Sequence, residues 1–85
     1  MWYVYILKHK NSSKIYIGST NNLKHRIKEH SVGKVKATKN LRPLYLQAYI
    51  AVSQEKIARK LEKYLKTGSG RAFLHKRILT DEALA

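Results

Sequence analysis

The chain has no cysteine, one proline, four glycines and five acidic residues. Without cysteine there is no disulfide framework to staple a small exported fold. Nor is there a thiolate to join His9, His25, His30 and His75, whose own spacing is not that of a zinc site. A long apolar run is also missing: the longest uncharged stretch, Pro43 to Gln54, falls far short of the roughly 20 residues that span a bilayer. The amino end does not carry a basic segment, an apolar core and a small-residue cleavage site in series, so no secretory leader is read and a cytoplasmic protein is expected. Internal repeats and low-complexity segments are absent as well.

Negative charge is the scarcest commodity. Only Glu29, Glu55, Glu62, Asp81 and Glu82 carry it, against 18 Lys and Arg, for a net charge of +13. Such a field favours polyanions. Between Lys14 and Val52 one acid stands among many bases, so this stretch is expected to neutralise phosphates and release their counterions. Nucleic acid is the expected partner, with a basic protein of RNA assembly as the other reading that composition allows. Apolar residues form 44% of the 85, which excludes a disordered tail. A chain of this length buries somewhat more than about 60% of its unfolded surface, one modest core's worth, so a single domain over residues 1–85 is expected.

Strand formers cluster in Trp2 to Leu7 and again in Ile15 to Gly18, separated by the polar HKNSSK, a pattern that predicts a β-hairpin. A third strand, LYLQAYIAV at 44–52, opens after Pro43; its near-absence of charge predicts a central position. Thr20 followed by NNLKHRIKEH predicts a helix over about residues 21–31, with Gly33 near its end. Ser53 is read as the cap of a stronger helix, QEKIARKLEKYLK, which Gly68 stops, and RAFLHKRIL forms a last helix. The pattern is α/β in the α+β sense: a three-stranded antiparallel sheet flanked by helices, in the order ββαβαα.

Helical and strand periodicity place the polar residues. At about 100° per residue, Arg26 and His30 flank the Leu23–Ile27 stripe on the side turned toward the sheet, while Lys24, His25, Lys28 and Glu29 occupy the solvent side. An arginine so placed needs either a nearby acid or a polyanionic ligand. In the second helix Glu62 sits at the border of the stripe formed by Ile57, Ala58, Leu61, Tyr64 and Leu65; it either faces a cleft edge or makes an ordinary ion pair with Lys66 four residues on. Tyr5 and Tyr16 read as sheet packing or as a shared polar rim, and they share a face only if cross-strand partners sum to an odd number. Gly68-Ser69-Gly70-Arg71 is either a plain helix-to-helix turn or a phosphate cradle.

Taken together, YVY at 3–5, YIG at 16–18, Arg26 ten residues past Tyr16, His30 one turn later and Glu62 in the second long helix resemble the GIY-YIG nuclease family, and in particular its small bacterial members. The resemblance implies an endonuclease that hydrolyses phosphodiester bonds in DNA, with RNA not excluded, using Mg²⁺ or Mn²⁺. Carried over by position, the catalytic set is Tyr5, Tyr16, Arg26, His30 and Glu62, with Glu62 the metal carboxylate and Tyr5 the group that orients or deprotonates the water. An unperturbed phenol near pKa about 10 is a poor base at neutral pH, so neighbouring cations would have to lower it. Lys34, Lys36, Lys39, Arg42 and Arg71 are the candidate nucleic-acid contacts outside that set. Three departures from the family pattern stand out: Tyr3 replaces the first motif's glycine, Ser19 stands where some repair members have a basic residue, and RAFLHKR lacks an asparagine that many members carry after the metal carboxylate. With no recognition domain beside the core, target choice falls to a protein partner or to DNA structure. A nucleic-acid-binding module that cleaves little or not at all is the alternative.

Overall fold

The computed structural model describes residues 1–79. Strands β1 (Trp2–His9) and β2 (Ile15–Thr20) form the hairpin, followed by helix α1 (Leu23–Ser31), a short 3₁₀ turn (Lys39–Leu41), strand β3 (Leu44–Val52) and helices α2 (Glu55–Leu65) and α3 (Gly68–Phe73). A π-type turn over Leu74–Ile78 extends α3. This is the expected ββαβαα order, an antiparallel three-stranded sheet with helices against it.

The sheet order is β2-β1-β3, so the central strand is β1 and not β3. Lack of charge misled here because it does not require burial. Val4, Tyr5, Ile6 and Leu7 are all buried, as a strand flanked on both sides and covered on both faces must be. In β3 the uncharged exposed positions are Tyr45, Tyr49 and Ala51, on an edge strand. Between Ile6 and Leu7 the β1–β3 register shifts, and Gln47 is passed over as the extra residue of a bulge.

Cross-strand partners of the hairpin sum to 23, as in Tyr5 with Gly18 and Leu7 with Tyr16. The odd sum puts Tyr5 and Tyr16 on one face. The opposite face carries Val4, Ile6 and Ile17, which pack with Ala58, Leu65 and Leu74 into the hydrophobic core. Helices α2 and α3 therefore lie on the core face, and α1 with the segment after it brings His30 and Thr38 to the tyrosine face.

Helix starts differ from the sequence expectation. Asn22, not Thr20, caps α1, accepting from the His25 amide at 3.1 Å, while the Thr20 hydroxyl accepts from the Asn22 amide. Gln54, not Ser53, precedes α2, with no side-chain cap. Gly68 does not merely stop α2 but begins α3, whose cap is Thr67, accepting from the Gly70 amide at 3.1 Å. Gly70 permits this tight corner: a Cβ there would collide with the Tyr64 carbonyl and the Leu65 Cα. The segment 68–71 is thus the first turn of α3, set close against the end of α2. In α2 the buried line runs through Ala58 and Leu65, while Ile57 and Tyr64 are exposed. Ala58 is small enough to let the helix sit close to the sheet, and Glu62 of the same helix meets Ser19 of β2.

Candidate active site

At the open end of the hairpin a cleft of about 390 Å³ brings together Tyr5, Tyr16, Arg26 and Glu62, with Gly18, Ser19, Glu29 and Arg59 around them. Its walls come from both sides of the sheet: Tyr5 and Tyr16 from one face with α1 behind them, Ser19 from the other with α2. Gly18 makes the opening possible. A Cβ at that position would lie 2.5 Å from the Tyr5 hydroxyl and 2.6 Å from the ring carbon that bears it. The glycine of YIG is therefore needed for the neighbouring strand's tyrosine to reach across it.

His30 lies beneath the cleft rather than in its lining, 2% exposed. Its ring packs against both tyrosines, with centroids 5.5 Å from Tyr5 and 5.2 Å from Tyr16, and the two tyrosine rings are 6.4 Å apart. His30 Nε2 is 2.8 Å from the Tyr5 hydroxyl and its Nδ1 is 2.7 Å from the Thr38 hydroxyl.

For Arg26 and Glu62 the ion-pair partners that the sequence offered are present, and both side chains also border the cleft. Arg26 Nη1 donates to Glu29 Oε1 at 3.2 Å, yet the guanidinium still borders the cleft. Glu29 sits between the two sides, pairing with Arg26 at the cleft rim and lying 3.6 Å from His25 on the solvent side. Glu62 accepts from Lys66 Nζ at 2.7 Å, the favourable i, i+4 order, and from Ser19 Oγ at 2.5 Å across the cleft wall. Arg59 lies over the Trp2 ring, 5.7 Å from its centroid, and closes the α2 side.

Electrostatics assign charge states at neutral pH. Burial pushes the Tyr5 phenol above its ordinary value, although Arg26 pulls the other way. The expected depression by surrounding cations is thus not found, because burial outweighs it. Burial and the charge of Arg26 lower His30 to about 4, so it is neutral. Burial alone would raise the Glu62 carboxyl, but hydrogen bonds from Lys66 and Ser19, with the charges of Lys66 and Arg59, overcome it and leave the group below the usual range. Beside the Arg26 guanidinium the cleft therefore holds a neutral Tyr5 phenol and two carboxylates, Glu29 and Glu62.

None of Lys34, Lys36, Lys39, Arg42 and Arg71 lines this cleft. All five are exposed. Arg42 spends two donors on backbone carbonyls, those of Lys39 at 3.1 Å and Ser31 at 3.3 Å, which ties β3's approach to the end of α1. Lys39 and Arg42 line a separate depression with Ser31, Pro43 and Leu44, and Arg71 belongs to α3 on the far face. Sequence reasoning missed Thr38 and Arg59, and it read Ser19 only as an absent base. The i−3 spacing of Arg59 from Glu62 could have placed Arg59 on the same helix side; nothing local marks Thr38, a lone threonine in a basic loop.

The model of the GIY-YIG catalytic domain matches residues 1–76. The chain belongs to the GIY-YIG family. Its relatives include a UPF0213 protein of Vibrio campbellii, 35% identical over 66 residues, which are 76% of this chain and 62% of that protein. A UPF0213 protein of Clostridium perfringens is 42% identical over 67 residues, 78% of this chain and 71% of the other. The chain thus spans under two thirds of the Vibrio relative's length. The solution structure of a UPF0213 protein from Bacillus halodurans shares the fold, with a TM-score of 0.59 and 30% identity over 96% of this chain and 90% of that one. GIY-YIG catalytic domains are nuclease domains, generally dependent on a divalent metal. Among the described residues no helix is long and apolar enough to cross a membrane.

Proposed function

We propose that the chain is a divalent-metal-dependent endonuclease that hydrolyses phosphodiester bonds in DNA. The observation that carries this reading is the meeting of Tyr5, Tyr16, Arg26 and Glu62 in one cleft on a chain of net charge +13. A cleft of about 390 Å³ is small for a ligand site, with room for a phosphodiester and its flanking sugars rather than a duplex.

Each residue takes a role that its chemistry permits. Arg26 offers the donors not used by Glu29 to the nonbridging phosphate oxygens, for which a planar fork is suited. Tyr5, a neutral phenol anchored by His30, holds the attacking water by a hydrogen bond rather than by removing its proton outright. Tyr16 packs beside it and fixes the tyrosine wall. Glu62 is the residue that would hold the metal, with the Ser19 hydroxyl alongside. A lone carboxylate suits Mg²⁺ or Mn²⁺, hard ions that keep several waters and take further oxygens from substrate. Among the described residues there is no group of three or more His, Cys, Asp or Glu to form an all-protein cage. When bound, such an ion supplies neutralisation of the charge that develops on the phosphoryl and leaving oxygens. Lys34, Lys36, Lys39, Arg42 and Arg71 are assigned to the phosphate backbone beyond the cleft, with target choice left to DNA structure or to a protein partner in the cytoplasm.

A second reading, a binding module with little cleavage, is favoured by one feature: both Glu62 oxygens are already engaged, by Ser19 and Lys66. Labelled single-stranded, duplex, nicked and branched DNA, incubated with the pure protein with and without Mg²⁺ or Mn²⁺, separates the two. Metal-dependent cutting supports the nuclease; salt-sensitive binding with no cutting of any substrate supports the module.

A further inference from the structure

Tyr5, His30 and Thr38 form a file of side chains running from the cleft into the protein, each at most 2% exposed. The contacts are 2.8 Å from Tyr5 Oη to His30 Nε2 and 2.7 Å from His30 Nδ1 to Thr38 Oγ1. A neutral imidazole carries one proton, and its partners decide on which nitrogen.

Two arrangements can be written. In the first, Nδ1–H donates to Thr38, Nε2 accepts from the Tyr5 hydroxyl, and the Thr38 proton goes to the Val35 carbonyl 3.5 Å away. Every proton then has an acceptor in the protein, and the Tyr5 oxygen keeps its lone pairs for Arg26 and the cleft. In the second, Thr38 donates to Nδ1 and Nε2–H donates to Tyr5. The phenol proton must then turn away from His30 into the cleft, beside the Arg26 guanidinium, which can only donate. The guanidinium charge beside the hydroxyl opposes an O–H turned toward it and favours a lone pair there, so the first arrangement prevails.

We propose that Thr38 is a positioning residue: by accepting from Nδ1–H it holds His30 in the tautomer whose bare Nε2 takes the Tyr5 proton, which leaves the Tyr5 oxygen facing the cleft as an acceptor. The polarity matters to hydrolysis. An attacking water needs its lone pair on phosphorus and one of its protons on an acceptor; the opposite tautomer would present it with a second donor. The catalytic consequence rests on the nuclease reading above, whereas the tautomer does not.

Long-range ¹H–¹⁵N NMR of the His30 ring in wild type, Thr38→Val and Thr38→Ser, with steady-state cleavage measured in parallel, tests this. Wild type is expected to carry its ring proton on Nδ1. In Thr38→Val the proton moves to Nε2, and kcat falls about tenfold or more with KM unchanged, the size usual for losing the group that orients a catalytic histidine. Thr38→Ser restores both. A wild-type ring protonated at Nε2, or a Thr38→Val ring still protonated at Nδ1, overturns the proposal. If Thr38→Val does not fold, the wild-type spectrum still decides. Wild type that never cuts DNA yet shows the expected tautomer overturns the nuclease reading and upholds the assignment of the ring proton.

Discussion

Acid should weaken this fold through His30, and by a predictable amount. The ring is 2% exposed and titrates at about 4 in the folded chain, burial being the main cause and the charge of Arg26 the second, against 6.5 for an unperturbed histidine. The folded value is depressed, so between pH 6.5 and 4 the unfolded chain binds a proton that the native chain refuses. Stability is therefore full above pH 6.5, declines as pH falls through that window, and levels off once the native ring also protonates. The gap corresponds to about 3 kcal/mol, a large share of the roughly 5–15 kcal/mol typical of small domains. Glu62 and Glu29 also titrate below their unfolded values, but their loss begins only as pH drops through about 4.5. The range from pH 6.5 to 4.5 thus isolates the histidine. Urea denaturation followed by circular dichroism at half-unit steps, on wild type and His30→Gln, reads the effect. The wild-type free energy should fall across the window while the variant, weaker throughout, stays nearly flat. Equal slopes in the two proteins, or a wild-type His30 that titrates above pH 6 by NMR, would refute the buried neutral ring.

Three further outcomes are expected. Gly18→Ala forces a Cβ onto the buried Tyr5 hydroxyl, 2.5 Å away, and should cost about 1–3 kcal/mol in melting experiments while abolishing cleavage; unchanged activity would mean that Tyr5 does not need its place over Gly18. Gly70→Ala drives a Cβ into the α2 backbone and should destabilise more, whereas Gly68→Ala meets open space and should stabilise by up to about 1 kcal/mol. A reversal of that order would contradict the described α2–α3 corner. DNA affinity, measured by fluorescence anisotropy, should fall with salt, and Lys36→Ala should reduce the slope of log K against log salt by about one; an unchanged slope removes Lys36 from the interface.

Much of this arrangement could be read from the chain, for identifiable reasons. The hairpin, α1 and α2 announced themselves through β-branched and aromatic runs and through apolar stripes at helical spacing. The positions of Arg26 and His30 followed from turn geometry, since His30 stands one turn past Arg26. The order of the strands could not be read in the same way. A strand of tyrosines and aliphatics looks the same at the edge as at the centre, and only long-range pairing separates β3 from β1. Cap positions slipped by one or two residues because Thr20, Asn22, Ser53 and Thr67 all carry suitable hydroxyls or amides, and tertiary contacts choose among them. The partnerships of Thr38 and Ser19 were invisible for a different reason. Their partners lie 8 and 43 residues away, His30 and Glu62, and no local pattern connects such pairs.

Cleavage by wild type and Glu62→Gln, purified identically and shown by circular dichroism to be equally folded, tests the central claim most directly. The glutamine keeps the shape of Glu62 and an oxygen for Ser19, but lacks the charge that would hold a divalent ion. Wild type is expected to cut labelled DNA with Mg²⁺ or Mn²⁺ and to stop when the ion is chelated, with the variant slower by about a hundredfold or more. Equal rates from the two proteins, or cutting that survives chelation, would contradict a metal-dependent nuclease centred on Glu62.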